Sequence, residues 1–303
     1  MIRIRYYKVI ERKSKMLIAL LFSCFYWAQN ITIDNRSDFP IEIKYAQKKV
    51  EIGLNEKKTV NDKNRIESIA IIYKNDKKLQ RNISLFLHPQ ESLAIHLIKD
   101  TLKFKGEKEQ LHDYVYRGFG DLNLKITEYQ KYYQNNDAKG FIRTSEMYLA
   151  DALKKVERLN SSPSGREDIY YKEIENIIKK RWFFTVFVSF DSGARQLSNT
   201  GKELMLYYFE KYFKENIATY SCDSWDQYDI LRKYSQHHKL LNLKLPKYEI
   251  IEHTEDDEIN QYLPAKCQEE YFRGSYNFLV YRKDLVRAER YKKVLAEKFH
   301  VKP

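Results

Sequence analysis

The sequence predicts an α+β protein, with a small N-terminal antiparallel β module followed by a large α-helical region. Two observations carry that expectation and a third agrees with it. From Ile31 to about Phe104 apolar and polar residues alternate, with β-branched side chains enriched; after Gly106 the apolar residues recur at helical spacing. The whole chain holds only 9 Gly and 6 Pro in 303 residues, too few for a turn-rich all-β protein. Hydrophobic residues make up 43% and aromatic residues 15%, enough to bury a sizeable core and to exclude global disorder. The expected division is 1–28 as an export signal, 29–105 as the β module and 106–303 as the helical domain.

Seven short segments carry the strand pattern: "ITIDN", "IEIKYA", "KVEIGL", "IESIAIIYK", "NISLFLH", "LAIHLI" and "TLKFKG". They are separated by Asn, Asp, Lys and Gly, with turns expected at Asn75-Asp76 and at His88-Pro89-Gln90. Half-buried alternation with short connections implies an antiparallel sheet or a small sandwich. Helical spacing then covers 107–134, 138–160, 167–190, 200–220, 224–241 and 268–299. Gly118 and Gly120 should break or kink the first of these. Phe141, Tyr148, Ala152, Val156 and Leu159 form an apolar stripe on the second. "NSSPSG" at 160–165 reads as a loop, and Asp168 and Ser224 stand where helix-start residues are expected. "RWFFTVFVSF", 181–190, is apolar on every side and reads as a core helix. The stretch 242–266, broken by Pro246 and Pro264, is a polar connection. Most of the 25 tyrosines are expected at the core boundary, ring inside and hydroxyl wet.

The first 28 residues set the expected location. Arg3, Arg5, Lys8, Arg12, Lys13 and Lys15 stand against Glu11 alone, ahead of the apolar run "MLIALLFSCFYW" and then Ala28. That order of basic, apolar and small residues is the secretory pattern. Twelve residues span about 18 Å as a helix, short of the roughly 20 residues that a bilayer crossing needs. Cleavage after Ala28 would reduce the net charge from +12 to +7, because six of the 54 basic residues and one of the 42 acidic residues lie before it. The alternative is a lipid anchor through Cys24, since Leu21-Phe22-Ser23-Cys24 has the outline of a lipoprotein processing box; Phe22 is bulky for it. The expectation is a periplasmic or secreted protein, with an outer-membrane lipoprotein as the second reading.

Few residues suggest chemistry. After processing at Ala28, Cys222 and Cys267 are the only cysteines left, and in an oxidising compartment they form either one disulfide or two separate buried thiols. His237-His238 and the "HTEDDE" stretch (His253, Glu255, Asp256, Asp257, Glu258) carry ligand-type side chains. They lack the i, i+4 histidine pair of helical zinc sites, so solvated polar loops explain them better. "NTGKE" (Asn199 to Glu203) lacks the upstream glycine and the Ser or Thr of a phosphate loop and reads as a helix start. "RGFGD" (Arg117 to Asp121) follows a helix and has two glycines of three, which is not a dinucleotide fingerprint. "YRKDLVRAERYKK" (281–293) mixes basic residues with tyrosine, but Asp284 and Glu289 interrupt the positive run, and with an export signal nucleic acid is not the expected partner. No nucleophile elbow, H-E-x-x-H or S-x-x-K occurs in the sequence. No metal or cofactor is expected.

The stretch "LFLHPQESLAIHLIKDTLKFKGEKEQLHDYVY" (85–116) resembles a pattern in TlpA-like thiol-disulfide oxidoreductases of the bacterial envelope. There an apolar strand enters a Pro-Gly-Asp-type turn, a second strand follows, then a short l-x-F-x-G strand and an acidic helix start. Pro89-Gln90-Glu91-Ser92 takes the place of the turn here, with Gln90 where the pattern has Gly. Leu102-Lys103-Phe104-Lys105-Gly106 takes the place of the l-x-F-x-G strand. In that family a thioredoxin domain with a C-x-x-C motif follows. This sequence has no C-x-x-C, so the family's catalytic residues have no position here to occupy. His88 and His96 are then residues of a hairpin. The resemblance implies a non-enzymatic envelope protein that binds a protein or small ligand, with a separate thioredoxin-like protein among the candidate partners. A split redox system, or a hydrolase with a dispersed site, is the alternative.

Overall fold

The structure is a computed structural model that describes residues 29–62, 65–75, 79–159, 169–190 and 197–301. Both the export signal and the Cys24 anchor fall on residues 1–28, outside the described residues. So do the loop at 160–165 and the helix start at Asp168. The class is α+β, as the change of period predicts. Among the described residues eight strands precede the helices: β1 (Asn30–Arg36), β2 (Ile41–Tyr45), β3 (Lys48–Ile52), β4 (Lys57–Val60), β5 (Ser68–Tyr73), β6 (Gln80–Ser84), β7 (Ser92–Ile98) and β8 (Thr101–Gly106).

The strands form two four-stranded sheets, in the orders β4-β1-β7-β8 and β3-β2-β5-β6. Alternation puts one face of each sheet into a shared core. Ile31 and Ile33 of β1, Leu93, Ile95 and Leu97 of β7, Ile41 and Ile43 of β2 and Ile69 and Ile71 of β5 are all buried in one cluster. Five of the six strand pairings are antiparallel, and β1 with β7 is parallel, in register from Asn30↔Ser92 to Arg36↔Ile98. The antiparallel expectation therefore needs that one correction. A parallel pair requires a crossover connection, and here β2 to β6 supply it. Alternation within a strand carries no information about which distant strand lies beside it.

Gly106 closes the module. Its φ is +123°, and a Cβ there would stand 2.7 Å from the backbone oxygen of Ser92. The close approach lets Ser92 and Glu107 bond reciprocally: Glu107 N donates to Ser92 O (3.0 Å), while Glu107 Oε2 accepts from Ser92 N (2.9 Å) and Oγ (2.8 Å).

The helices are α1 (Glu109–Tyr116), the single turn α2 (Gly118–Asp121), α3 (Ile126–Gln134), α4 (Ala138–Leu159), α5 (Ile169–Phe190), α6 (Asn199–Tyr208), α7 (Trp225–His237), α8 (Asp257–Asn260), α9 (Ala265–Tyr281) and α10 (Leu285–Lys298). A π-helical segment, Phe209–Phe213, continues α6, and 3₁₀ turns stand at Leu122–Lys125 and Ile217–Thr219. Ser198 caps α6 by accepting from Gly201 N (3.0 Å), so "NTGKE" is a helix start. The single helix expected over 268–299 is two helices. Lys283 takes a left-handed φ of +60°, and Asp284 restarts the helix by accepting from Arg287 N. No helix among the described residues is long and apolar enough to cross a membrane.

The chain divides into two compact units, Met1–Gly120 with Lys155–Ile174, and Asp121–Lys154 with Glu175–Pro303. The first holds the sandwich and α1. In the second, Trp182, Phe187, Tyr208, Phe213 and Tyr234 pack as an aromatic network with ring centroids 5.2 to 6.4 Å apart. The tyrosines depart from expectation, because twelve are buried. Several of their hydroxyls find internal partners: Tyr208 meets Ser145 Oγ at 2.6 Å and Tyr234 donates to Met205 O at 3.1 Å, whereas those of Tyr73 and Tyr129 are buried without one among the described residues.

Candidate functional site

The His88–Glu91 turn gathers a polar cluster in the first unit. Pro89 fixes the first central position of the turn, and Gln90 has a φ of +78°, the value that the second central position of a type II turn requires. Glu91 N donates to His88 O (3.2 Å), and Glu91 Oε2 accepts from His88 N (2.7 Å) and from the Lys108 ammonium (2.9 Å). Tyr170, which is buried, lies against the turn and donates its hydroxyl to Leu87 O (2.9 Å). Around its ring centroid stand the His88 ring at 4.6 Å, the Arg65 guanidinium at 4.5 Å and the Lys108 ammonium at 4.7 Å. Gln29 completes the cluster from the other side of Leu87: its amide donates to Leu87 O (2.5 Å) and accepts from Ile66 N (2.8 Å).

His112 of α1 holds that helix to the strand before the turn. Its Nε2 accepts from Phe86 N (3.1 Å), which makes Nδ1 the protonated nitrogen that donates to Lys108 O (2.8 Å). Burial pushes its pKa down to about 4, so the ring is neutral at neutral pH. Beside α1 a shallow cleft of about 570 Å³ is lined by Gly106, Lys108, Glu109, Gln110, Arg158 and Tyr171 among others. Its lining is polar, unlike the apolar walls typical of small-molecule pockets.

His88 and His96 do not share the expected hairpin, because the strands either side of the turn, β6 and β7, belong to different sheets, and the two histidines have different partners. His88 packs at a tilt of 45° against Tyr170, whereas His96 lies in β7 directly across from Asp34 and meets its carboxylate at 3.0 Å. Burial pushes the Asp34 carboxyl up, but hydrogen bonds from Arg36 and His96 outweigh it, and the net shift is below the ordinary carboxylate value. His96 is thus one half of a cross-strand pair.

In the second unit the cysteines meet. Cys222 and Cys267 have Sγ atoms at bonding distance, 2.03 Å, and Cα atoms 4.9 Å apart, inside the range for a disulfide. Both are fully buried in a cluster with Tyr228, Leu231, Leu263 and Phe272. The acidic stretch that follows does structural work. Asp257 accepts from Thr254 N (2.8 Å) and meets His253 Nδ1 (2.7 Å), and Asp256 accepts from the Tyr271 hydroxyl (2.9 Å). His238 meets Ser235 O at 2.6 Å and packs at a tilt against Tyr262, with centroids 4.4 Å apart. Among the described residues no group of three or more His, Cys, Asp or Glu could hold a metal ion.

A second cluster gave no signal in the sequence. Glu146 of α4 accepts from the Tyr207 hydroxyl (3.1 Å), from the Tyr212 hydroxyl at both oxygens (2.7 Å each) and from the Lys211 ammonium (2.8 Å). The π-helical segment makes this convergence. Lys214 N donates to Phe209 O five residues back, and the wider turn brings Tyr207 and Tyr212, five apart, onto one face. In an α-helix, positions five apart diverge by about 140°. Burial first, then its bond to Glu146, raises the Tyr212 hydroxyl pKa far above the ordinary value, so Tyr212 remains a donor. The only hint in the sequence is the composition of "YYFEKYF" (207–213), which does not reveal a widened turn.

Comparison with known protein families, with characterised proteins and with solved structures found no match to this chain.

Proposed function

We infer that this is an exported envelope protein with a non-enzymatic binding or accessory role, like the non-redox portion of TlpA-like proteins. Its partner would be an envelope protein, a separate thioredoxin-like chain among the candidates, or a small ligand. The observation that carries the reading is Gln29. The residue after the expected cut has a side chain only 3% exposed, and its amide joins Leu87 to Ile66 inside the sandwich. Cleavage after Ala28 keeps that joint, whereas a cut further along would remove it. The turn at Pro89-Gln90 supports the resemblance as well, since its left-handed backbone at Gln90 suits the Gly of the family pattern.

Both cysteine side chains are fully buried, which favours a structural cross-link over thiol exchange, because exchange needs an accessible thiolate. The test is intact-mass measurement of protein recovered from its native host, followed by insulin-reduction turnover. A mature chain starting at Gln29, two hydrogen atoms lighter than its reduced form and inactive on insulin, is the expected result. A chain retaining Met1 rejects export, and a lipidated Cys24 replaces soluble export by an anchor. Turnover above the dithiothreitol background that disappears in Cys222→Ser would establish the redox alternative.

A further inference from the structure

The turn between α9 and α10 carries an apolar patch with a basic rim. Of the thirteen large hydrophobic residues exposed among the described residues, five lie in the nine positions from 278 to 286: Phe278 (62% exposed), Val280 (43%), Tyr281 (82%), Leu285 (67%) and Val286 (85%). Singly exposed hydrophobics need no explanation, but a cluster this dense marks an interaction surface. Phe278 and Tyr281 share a face of α9 at i, i+3, and a three-residue turn joins them to Leu285 and Val286 at the start of α10. The patch continues back along α9. Trp225, half-exposed, rests on Gly274, where a Cβ would stand 1.8 Å from the indole, and Gly274 is one turn before Phe278.

The charge at this end is positive. Arg287 bonds Asp284 through Nε (2.6 Å) and meets Glu255 through Nη1 (3.7 Å), so both neighbouring carboxylates are paired; Arg282 and Lys283 have no acidic partner among the described residues. The extent is smaller than that of a protein interface. A stable interface takes roughly 20–30 residues from each side, and this patch spans nine positions at a helical hairpin's end.

We propose that this hairpin end docks on an anionic lipid surface. Phe278, Tyr281, Leu285 and Val286 enter the boundary between headgroups and acyl chains, and Arg282 and Lys283 meet lipid phosphates. Aromatic rings favour that boundary, and bound apolar area adds to electrostatic attraction there. The inference rests on the patch alone and not on export.

The experiment is co-sedimentation of the processed chain with vesicles of phosphatidylcholine, alone or mixed with phosphatidylglycerol. Binding to the mixed vesicles is expected, and Leu285→Asp with Val286→Asp should weaken it roughly ten-fold or more. Arg282→Gln with Lys283→Gln should weaken binding to mixed vesicles by roughly thirty-fold and leave phosphatidylcholine alone unaffected. These side chains are exposed, so unchanged circular dichroism and melting temperature check that the variants fold. A Tyr281→Trp variant whose added fluorescence is quenched by brominated lipid would locate the contact at the hairpin. Failure of the wild type to sediment, or equal binding by all variants, overturns the proposal. So does self-association in lipid-free sedimentation that Leu285→Asp abolishes, because the occupant is then a second copy of this chain.

Discussion

In the sandwich, sixteen of the eighteen residues in the core cluster are Ile, Leu or Val and the other two are Tyr. The second unit is built differently: an aromatic network runs through α5, α6, the π-helical segment and α7, and a cysteine pair lies in a separate cluster between α7 and α9. Aliphatic side chains on a pleated sheet need only alternation and burial to pack. Large rings carry hydroxyls that cost free energy when buried unpaired, so the helical unit gains from specific polar contacts such as Tyr208 to Ser145 and Tyr234 to Met205. The sandwich should therefore respond to changes of backbone and protonation, and the helical unit to loss of particular links.

The link with the largest expected effect is the cysteine pair. Cys222 and Cys267 are 45 residues apart, and closing a loop of that length stabilises the fold by about 4 kcal/mol in the chain-entropy model. Cys222→Ser should lower stability in urea by that order. Hydrogen exchange should accelerate most in peptides from α7, which follows Cys222, and from α9, which contains Cys267. Uniform acceleration through β1 to β8 as well would break the contrast between the units. Non-reducing peptide mapping supplies the companion check, with one linked peptide pair expected.

In the sandwich unit the corresponding test is acid. His112 has a pKa lowered to about 4 by burial, against about 6.5 when unfolded. Between those values the unfolded chain binds a proton that the folded chain refuses, so stability falls as pH drops from 6.5 to 4. The shift corresponds to about 3 kcal/mol lost by pH 4 relative to pH 7. Urea titrations at both pH values, compared with His112→Gln, isolate this contribution. The variant should be weaker at pH 7 and show a smaller loss on acidification. An equal loss in both proteins would assign the acid sensitivity to other groups.

These sites differ in how far they were legible before the structure. The strand alternation from Ile31 to Phe104 reads directly, because burial on one face of a sheet imposes a period of two. The parallel pairing of β1 with β7 does not, since it joins segments separated by five strands. The break at Lys283 was invisible because "RKDL" contains neither Gly nor Pro, and only the left-handed φ at Lys283 separates α9 from α10. The cysteines could be named as a pair, but their approach to 4.9 Å between Cα atoms depends on how α9 folds back on the segment before α7. The Glu146 cluster was the least legible, because its geometry follows from one widened turn.

That turn gives a third test. Glu146 accepts from two tyrosines and a lysine, and Glu146→Ala leaves the Tyr212 hydroxyl, which is partly buried against Trp182 and Phe183, without its acceptor. Stability should fall by about 2 kcal/mol, the cost of an orphaned buried donor and a lost charged acceptor. Glu146→Gln keeps an acceptor oxygen and should lose less. If Glu146→Ala were neutral, the polar contacts of the helical unit would be incidental to its packing, and the contrast with the sandwich would weaken.

The smallest expected effect has the opposite sign and lies in the sandwich unit. Gln90 holds a φ of +78° between Pro89 and Glu91, a conformation in which a Cβ crowds the backbone and Gly does not. Gln90→Gly relieves that crowding but gives the unfolded chain more freedom to lose, and the two terms partly cancel. The net expectation is a gain of about 0.5 kcal/mol, read as a higher urea midpoint with an unchanged slope. The neighbouring interactions are spared, because Glu91 still accepts from His88 N and Lys108, and Tyr170 still donates to Leu87 O. A loss of stability would mean either that the Gln90 side chain contributes contacts or that the backbone there is not left-handed in solution. In the second case the likeness to the glycine of the TlpA-like pattern would lose its physical basis.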